Sequence, residues 1–173
     1  MSFKMLVDRF LELRISEVIL EIERAQKIHI SELKLFDLLI NENTGKALRH
    51  GVYIFFNDRE ECLYVGKCSS SHFAHRIGGH FGMSPKYGMN DFLKRTVGLL
   101  KLGSDYSSYV NALPIISDYK LLIIDASGRS REFISSLEKL FHKVYKPILN
   151  FPKGYPKTYK SVDVESQFLS AMD

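Results

Sequence analysis

The sequence has few of the features that mark secreted or membrane-spanning proteins. It contains two cysteines, Cys62 and Cys68, which lie across the end of one predicted strand, so a disulfide framework is not expected. The N-terminal segment MSFKMLVDRFLELR is charged throughout and has no apolar run as long as a signal peptide or a membrane span requires. These absences favour a soluble, cytoplasmic protein with reduced thiols and no membrane partner.

Carboxylates are missing from a long stretch near the C-terminus. Between Lys139 and Lys160 there are six lysines and no acidic residue. Residues 1–42 have a net charge of −2, and residues 43–173 a net charge of +6. In the segment FPKGYPKTYK, residues 151–160, lysines alternate with aromatic rings, a mixture that suits a phosphate backbone with bases nearby. The alternative, a solvated tail whose lysines only maintain solubility, stays open for residues 151–173.

The apolar pattern at the N-terminus predicts helices. With 173 residues and 45% apolar content, the chain is long enough for one domain with an appendage. Val18 and Ile22 lie on one helical stripe, and a further helix is expected to begin at Ser31. Residues 1–45 are therefore predicted to form a helical extension. The near-repeat of RISE and HISE permits a helix-turn-helix interpretation, which the acidic balance of the segment opposes.

The middle of the chain predicts a small α/β unit. The stretch GVYIFFNDREECLYVGK, residues 51–67, has the alternation of a β-hairpin. A short helix is expected over 72–81, followed by inserted helices within about 83–117, one of them over 105–113 and ending before Pro114. A buried strand over 119–125 and a helix over 130–145 are expected next. The expected fold class is α/β (α+β), a small three-stranded sheet with a β-hairpin, flanked by helices, in a domain of residues 46–150.

Each strand of the hairpin pairs a tyrosine with a glycine, which hairpin packing does not require. The tripeptides are GVY, from Gly51 to Tyr53, and YVG, from Tyr64 to Gly66. The other residues able to do chemistry follow in the order Lys67, Arg76, His80, Glu138 and Asn150.

This order resembles the GIY-YIG nuclease family, whose pattern it follows across residues 51–150. Valine replaces isoleucine in both tripeptides, and Ser69-Ser70-Ser71 lengthens the approach to Arg76. The resemblance implies a divalent-metal-dependent DNA endonuclease that hydrolyses phosphodiester bonds with one Mg²⁺ or Mn²⁺ ion and no small-molecule cofactor. A restriction or phage-type endonuclease, of prokaryotic or phage origin, fits a compact chain with one catalytic domain.

The resemblance also implies roles for individual residues. Tyr53 is the expected general base, helped by Lys67 and Arg76, with His80 to accept or relay its proton. The resemblance leaves Tyr53 and His80 interchangeable in the role of base. Arg76 is expected to grip the scissile phosphate, and Tyr64 to orient a phosphate or the water. Glu138 is the expected metal ligand, while Gly51, Gly66 and Asn150 have structural roles. The candidate nucleic-acid contacts are Lys86, Lys94, Arg95, Lys153, Lys157 and Lys160.

Several alternatives stay open at this point. The chain could be a nucleic-acid-binding module that keeps the fold without turnover, or a structure-selective repair nuclease. Cys68, His72, His75 and His80 crowd into thirteen residues and could hold zinc, although their spacing matches no closed structural site. The recognition sequence, the preference for DNA over RNA and homo-oligomerisation are not determined by the sequence.

Overall fold

A five-stranded mixed sheet forms the centre of the protein. The computed structural model describes residues 2–82 and 91–151. The strands lie side by side in the order β1 (Lys4–Leu6), β7 (Lys120–Asp125), β5 (Gly51–Phe56) and β6 (Cys62–Cys68). A fifth strand, β2 (Ile28–His29), pairs antiparallel with the start of β7. Because β1 pairs parallel with β7 while the other pairs are antiparallel, the sheet is mixed.

Helices cover both faces of this sheet. On one face lie α1 (Ile15–Arg24) and α5 (Arg131–Tyr145). On the other face lie α2 (Phe73–His80), α3 (Asp91–Leu99) and α4 (Tyr106–Ser117). A separate two-stranded ribbon joins β3 (Ile40–Asn41) to β4 (Lys46–Ala47). The mixed α/β class is therefore observed.

The alternation of β5 divides the core into two layers. Val52, Ile54 and Phe56 pack towards α1 and α5, whereas Tyr53 and Phe55 pack towards α2 and α3. This follows from the period of two in an extended strand, which sends successive side chains to opposite faces. The sequence predictions of the hairpin, of α2, of β7 and of α5 are confirmed, with bounds that differ by a few residues.

The prediction that α4 ends before Pro114 is wrong. The helix continues to Ser117 with Pro114 inside it. Asp105 begins this helix as its N-cap, because its side chain accepts a hydrogen bond from the Ser108 amide at 2.9 Å. A proline within the last turn is accommodated here, although it donates no backbone hydrogen bond.

The predicted N-terminal helical extension is also wrong in most of its length. Only α1 is an α-helix there, and the helix expected from Ser31 is replaced by two 3₁₀ turns, Ile30–Glu32 and Leu35–Leu38. Leu35 and Phe36, which suggested a buried helical face, are 68% and 67% exposed. The helix-turn-helix interpretation therefore lacks its second helix.

The predicted three-stranded sheet is wrong in its number of strands, because the N-terminal segment adds two strands to it. β1 and β2 both pair with β7 and satisfy backbone groups that a three-stranded sheet would leave at an edge. Lys4 in β1 is 3% exposed, and its ammonium pairs with Glu42 and donates to the carbonyl of Ile40 at 3.0 Å. No helix in the described part of the chain is both long and apolar enough to cross a membrane.

Candidate active site

Tyr53 and His80 form a buried hydrogen-bonded pair. The Tyr53 hydroxyl lies 2.5 Å from Nε2 of His80, and the two side chains are 0% and 1% exposed. Tyr53 reaches this position from the middle of β5, and His80 comes from the last turn of α2. Tyr64 on β6 completes the cluster, because its ring stacks on Tyr53 at 6.2 Å and meets His80 edge-on at 5.0 Å.

The glycines of the two tripeptides are explained by close approach. Gly66 lies directly opposite Tyr53 in the β5–β6 pair, and a Cβ added there would come within 2.3 Å of the tyrosine oxygen. Gly51 has a φ of +151°, and its Cβ would come within 2.0 Å of the Ile124 carbonyl oxygen. A tyrosine therefore lies across a glycine because only glycine leaves room for its ring.

Burial keeps both members of the pair neutral. Desolvation raises the pKa of Tyr53 well above its usual value, and Tyr64 and Glu138 act in the same direction, while Arg76 acts against them. Desolvation lowers the pKa of His80 to about 3, and the charges of Arg76 and Arg95 add to this effect. Near neutral pH the phenol therefore keeps its proton and the imidazole is uncharged.

The hydrogen bond runs from the phenol to the imidazole. The charge of Arg76 acts on the Tyr53 hydroxyl and favours the loss of its proton, against the effect of burial. Imidazole nitrogen is in turn a better acceptor than phenol oxygen, so the phenol O–H donates to Nε2 and His80 carries its own proton on Nδ1. Among the residues that the structure describes, no group partners that buried Nδ1 atom.

Glu138 and Lys67 form an ion pair at the rim of this cluster. Nζ of Lys67 on β6 lies 2.8 Å from Oε2 of Glu138 on α5. The side chains are 34% and 17% exposed, so solvent reaches the pair. A carboxylate that already holds an ammonium group is able to hold another cation in the same place. The residues therefore fit a Mg²⁺ or Mn²⁺ ion bound through one carboxylate and water.

Asn150 ties the loop after α5 to the edge of the sheet. Its side-chain amide accepts from the Val65 amide at 2.7 Å and donates to the Val65 carbonyl at 2.8 Å. The Leu149 amide adds a bond to the Leu63 carbonyl at 2.9 Å. The amide of Asn150 thus replaces the neighbouring strand that the edge strand β6 lacks, which fixes the YVG tripeptide.

Two residues near the site have contacts that the sequence did not predict. Nε2 of His142, one turn after Glu138 on α5, lies 3.2 Å from the Val65 carbonyl oxygen. Arg95, expected to contact nucleic acid, donates to the Leu149 carbonyl at 2.8 Å and so joins α3 to the loop that carries Asn150. For the contact of His142, the only signal in the sequence was its i, i+4 spacing from Glu138. No signal in the sequence indicated the contact of Arg95 with Leu149.

The remaining candidates are distributed as follows. Lys94 on α3 is exposed and lies on the surface, as a nucleic-acid contact would require. Asp125, an acid at the end of β7, accepts hydrogen bonds from the Asn41 side-chain amide at 2.7 Å and from the Ser127 backbone amide at 2.9 Å. Four predicted contacts lie outside the described residues, namely Lys86, Lys153, Lys157 and Lys160.

The zinc alternative lacks a ligand cluster. His72 and His75 are exposed, with ring centroids 6.4 Å apart, whereas His80 is buried against Tyr53. Residues 2–82 and 91–151 contain no group of three or more histidine, cysteine or acidic side chains placed to hold a metal ion.

Comparison with protein-family models, with curated proteins and with solved structures finds no match to this chain.

Proposed function

We propose that the protein is a divalent-metal-dependent endonuclease of the GIY-YIG type that hydrolyses phosphodiester bonds in DNA. The observation that carries the proposal is the hydrogen bond of the Tyr53 hydroxyl to Nε2 of His80, in a cluster on which the charge of Arg76 acts. Such a phenol has an acceptor for its own proton, and arginine is a phosphate-binding group.

Tyr53 and His80 would act together on the attacking water. As the water loses a proton to the phenol oxygen, the phenol passes its own proton to Nε2 of His80, so no free phenolate forms. An anionic phosphate beside Arg76 offsets the guanidinium charge that helps to lower the pKa of His80. Substrate binding therefore makes the imidazole a better proton acceptor at the moment when it is needed.

The divalent ion would lie at Glu138. When bound, it supplies positive charge for the phosphoryl oxygens and for the leaving oxygen. Glu138 would hold this ion, Arg76 would grip the scissile phosphate, and Tyr64 would keep the ring of Tyr53 in place by stacking. A single carboxylate suits Mg²⁺, which keeps several of its waters and binds substrate phosphate.

One observation favours the alternative of a binding module without turnover. Tyr53 is fully buried, and a tyrosine–histidine pair inside a core can serve packing alone. In that case the protein would bind nucleic acid through its basic surface and cleave nothing.

Cleavage of mixed substrates decides between the two. Supercoiled plasmid, linear duplex and single-stranded DNA are incubated with the protein in Mg²⁺ and in EDTA, and the cut ends are sequenced. The proposal expects cleavage that stops in EDTA. Binding without cleavage in Mg²⁺ or Mn²⁺ would favour the module, and cleavage that persists in EDTA would exclude the role of Glu138.

A further inference from the structure

A cavity of about 290 Å³ opens beside Arg76. Among the described residues, its lining is basic and rich in hydroxyl groups and includes no carboxylate: Lys67, Cys68, Ser69, Ser70, Ser71, His75 and Arg76. This volume lies near the lower end of ligand pockets, which is about 300 Å³, so it suits one phosphate with part of a sugar. The run of serines that lengthens the approach to Arg76 supplies hydroxyl donors for such a group.

Lys67 belongs both to this cavity and to the ion pair with Glu138. Its ammonium lies 2.8 Å from the carboxylate while its side chain lines the cavity. The Lys67 and Glu138 side chains are 34% and 17% exposed, so the pair is partly open to solvent, and exposed ion pairs contribute only about 0–1 kcal/mol. The flexible four-carbon stem of lysine lets the ammonium leave Glu138 at little cost.

We propose that the cavity binds a phosphodiester of the nucleic acid and that Lys67 couples this binding to a cation at Glu138. The coupling rests on the metal site of the proposed function. A cation at Glu138 displaces the Lys67 ammonium, which then pairs with an anion in the cavity that it already lines. An anion that attracts Lys67 in turn uncovers Glu138, because coupling between two binding sites is reciprocal.

The coupling predicts measurable changes in metal affinity without any cleavage. In the wild-type protein, dimethyl phosphate should tighten Mn²⁺ binding about fivefold or more, the lower end of usual coupling energies. Lys67→Met keeps the length of the side chain and removes its charge. This variant should bind Mn²⁺ several-fold more tightly than wild type when no anion is present, and dimethyl phosphate should no longer change its affinity.

The experiment is a Mn²⁺ titration, followed by electron paramagnetic resonance of the free ion, with and without dimethyl phosphate. Lys46→Met, which removes an exposed lysine from β4, is the matched control and should behave as wild type. Lys67→Arg keeps the charge and should retain the coupling. Phosphorus NMR of dimethyl phosphate in EDTA measures the anion alone, and Ser69→Ala/Ser70→Ala should weaken its binding.

The result that overturns the inference is a wild-type Mn²⁺ affinity that dimethyl phosphate leaves unchanged. Absence of Mn²⁺ binding, or equal affinities in wild type and a folded Lys67→Met, also overturns it. Should Lys67→Met fail to fold, the wild-type titration decides alone. Cleavage assays judge the proposed function separately. Coupling without DNA cleavage would support this inference and contradict the proposed nuclease function. Cleavage without coupling would support the nuclease function and contradict this inference.

Discussion

The two faces of the central sheet bury different kinds of side chain. The face towards α1 and α5 buries aliphatic and phenylalanine side chains almost exclusively, with Val52 and Ile54 at its centre. The face towards α2 and α3 buries Tyr53, Tyr64 and His80 among its apolar residues. Buried polar groups contribute less to stability than apolar ones of equal size. The buried part of the aliphatic face therefore maintains the fold, whereas the buried part of the tyrosine face includes groups available for chemistry.

The largest expected effect is a loss of cleavage activity on substitution of Tyr53, on the tyrosine face. Tyr53→Phe keeps the ring over Gly66 and removes only the hydroxyl, so cleavage should fall by about 10²–10⁴-fold, the usual contribution of a general base. Stability should change by about 1 kcal/mol, the net value of one hydrogen bond. Cleavage rates and denaturant unfolding measure the two effects. Tyr109→Phe, at a buried tyrosine on α4, is the control and should keep its activity.

At Ile22, on the aliphatic face, a substitution should lower stability and leave cleavage activity unchanged. This side chain on α1 is 0% exposed in the aliphatic core, so Ile22→Ala should cost about 2–5 kcal/mol. Cleavage per folded molecule should stay at the wild-type level. Urea unfolding tests the first statement. A loss below 1 kcal/mol would mean that the N-terminal segment is an appendage rather than part of the core.

Acid should destabilise the tyrosine face. The folded-state pKa of His80 is lowered to about 3, below the ordinary value of about 6.5 that the unfolded chain has. Between these values the unfolded chain binds the additional proton, so stability is full above pH 6.5 and is lost as pH falls. The loss from His80 between pH 7 and pH 4 should be about 3 kcal/mol. Thermal unfolding across this range should show a shallower acid slope in His80→Gln than in wild type, with the exposed His75→Gln as the unchanged control.

The smallest expected effect is at the edge of the sheet. Asn150→Ala removes two hydrogen bonds from the backbone of Val65. Because Asn150 is only half-buried and water replaces the lost partner in part, the cost should be about 1–2 kcal/mol. Hydrogen exchange of the Val65 amide should accelerate more than that of Ile54 in the central strand. Equal protection of the Val65 amide in variant and wild type would contradict the role of Asn150 as a strand substitute.

The elements that the sequence predicted correctly are those long enough to show a hydrophobic periodicity. β5, β7 and α5 each contain six or more residues, and their apolar pattern identified both type and place. β1 and β2 contain three and two residues, which is too few for any period to appear. Their structure depends on the exposed edge of β7, and a pairing partner more than ninety residues away leaves no trace in local sequence.

The same distinction applies to the candidate site. The order of Tyr53, His80 and Glu138 along the chain was visible, and the hydrogen bond between the first two fits the expected roles. The ion pair of Lys67 with Glu138 was not predicted, because it joins β6 to α5 across the fold. Lys67 was expected to act on Tyr53, and it pairs instead with the proposed metal ligand.

The central claim, that Glu138 holds the ion of a nuclease, is tested most directly by cleavage and DNA binding of Glu138→Gln side by side. The substitution keeps the shape of the side chain and removes the charge that would bind the cation. We expect no detectable cleavage by Glu138→Gln, with its dissociation constant for DNA within about twofold of wild type. Glu132→Gln, in the first turn of the same helix, should cleave normally. Cleavage by Glu138→Gln at a rate near that of wild type would contradict the account.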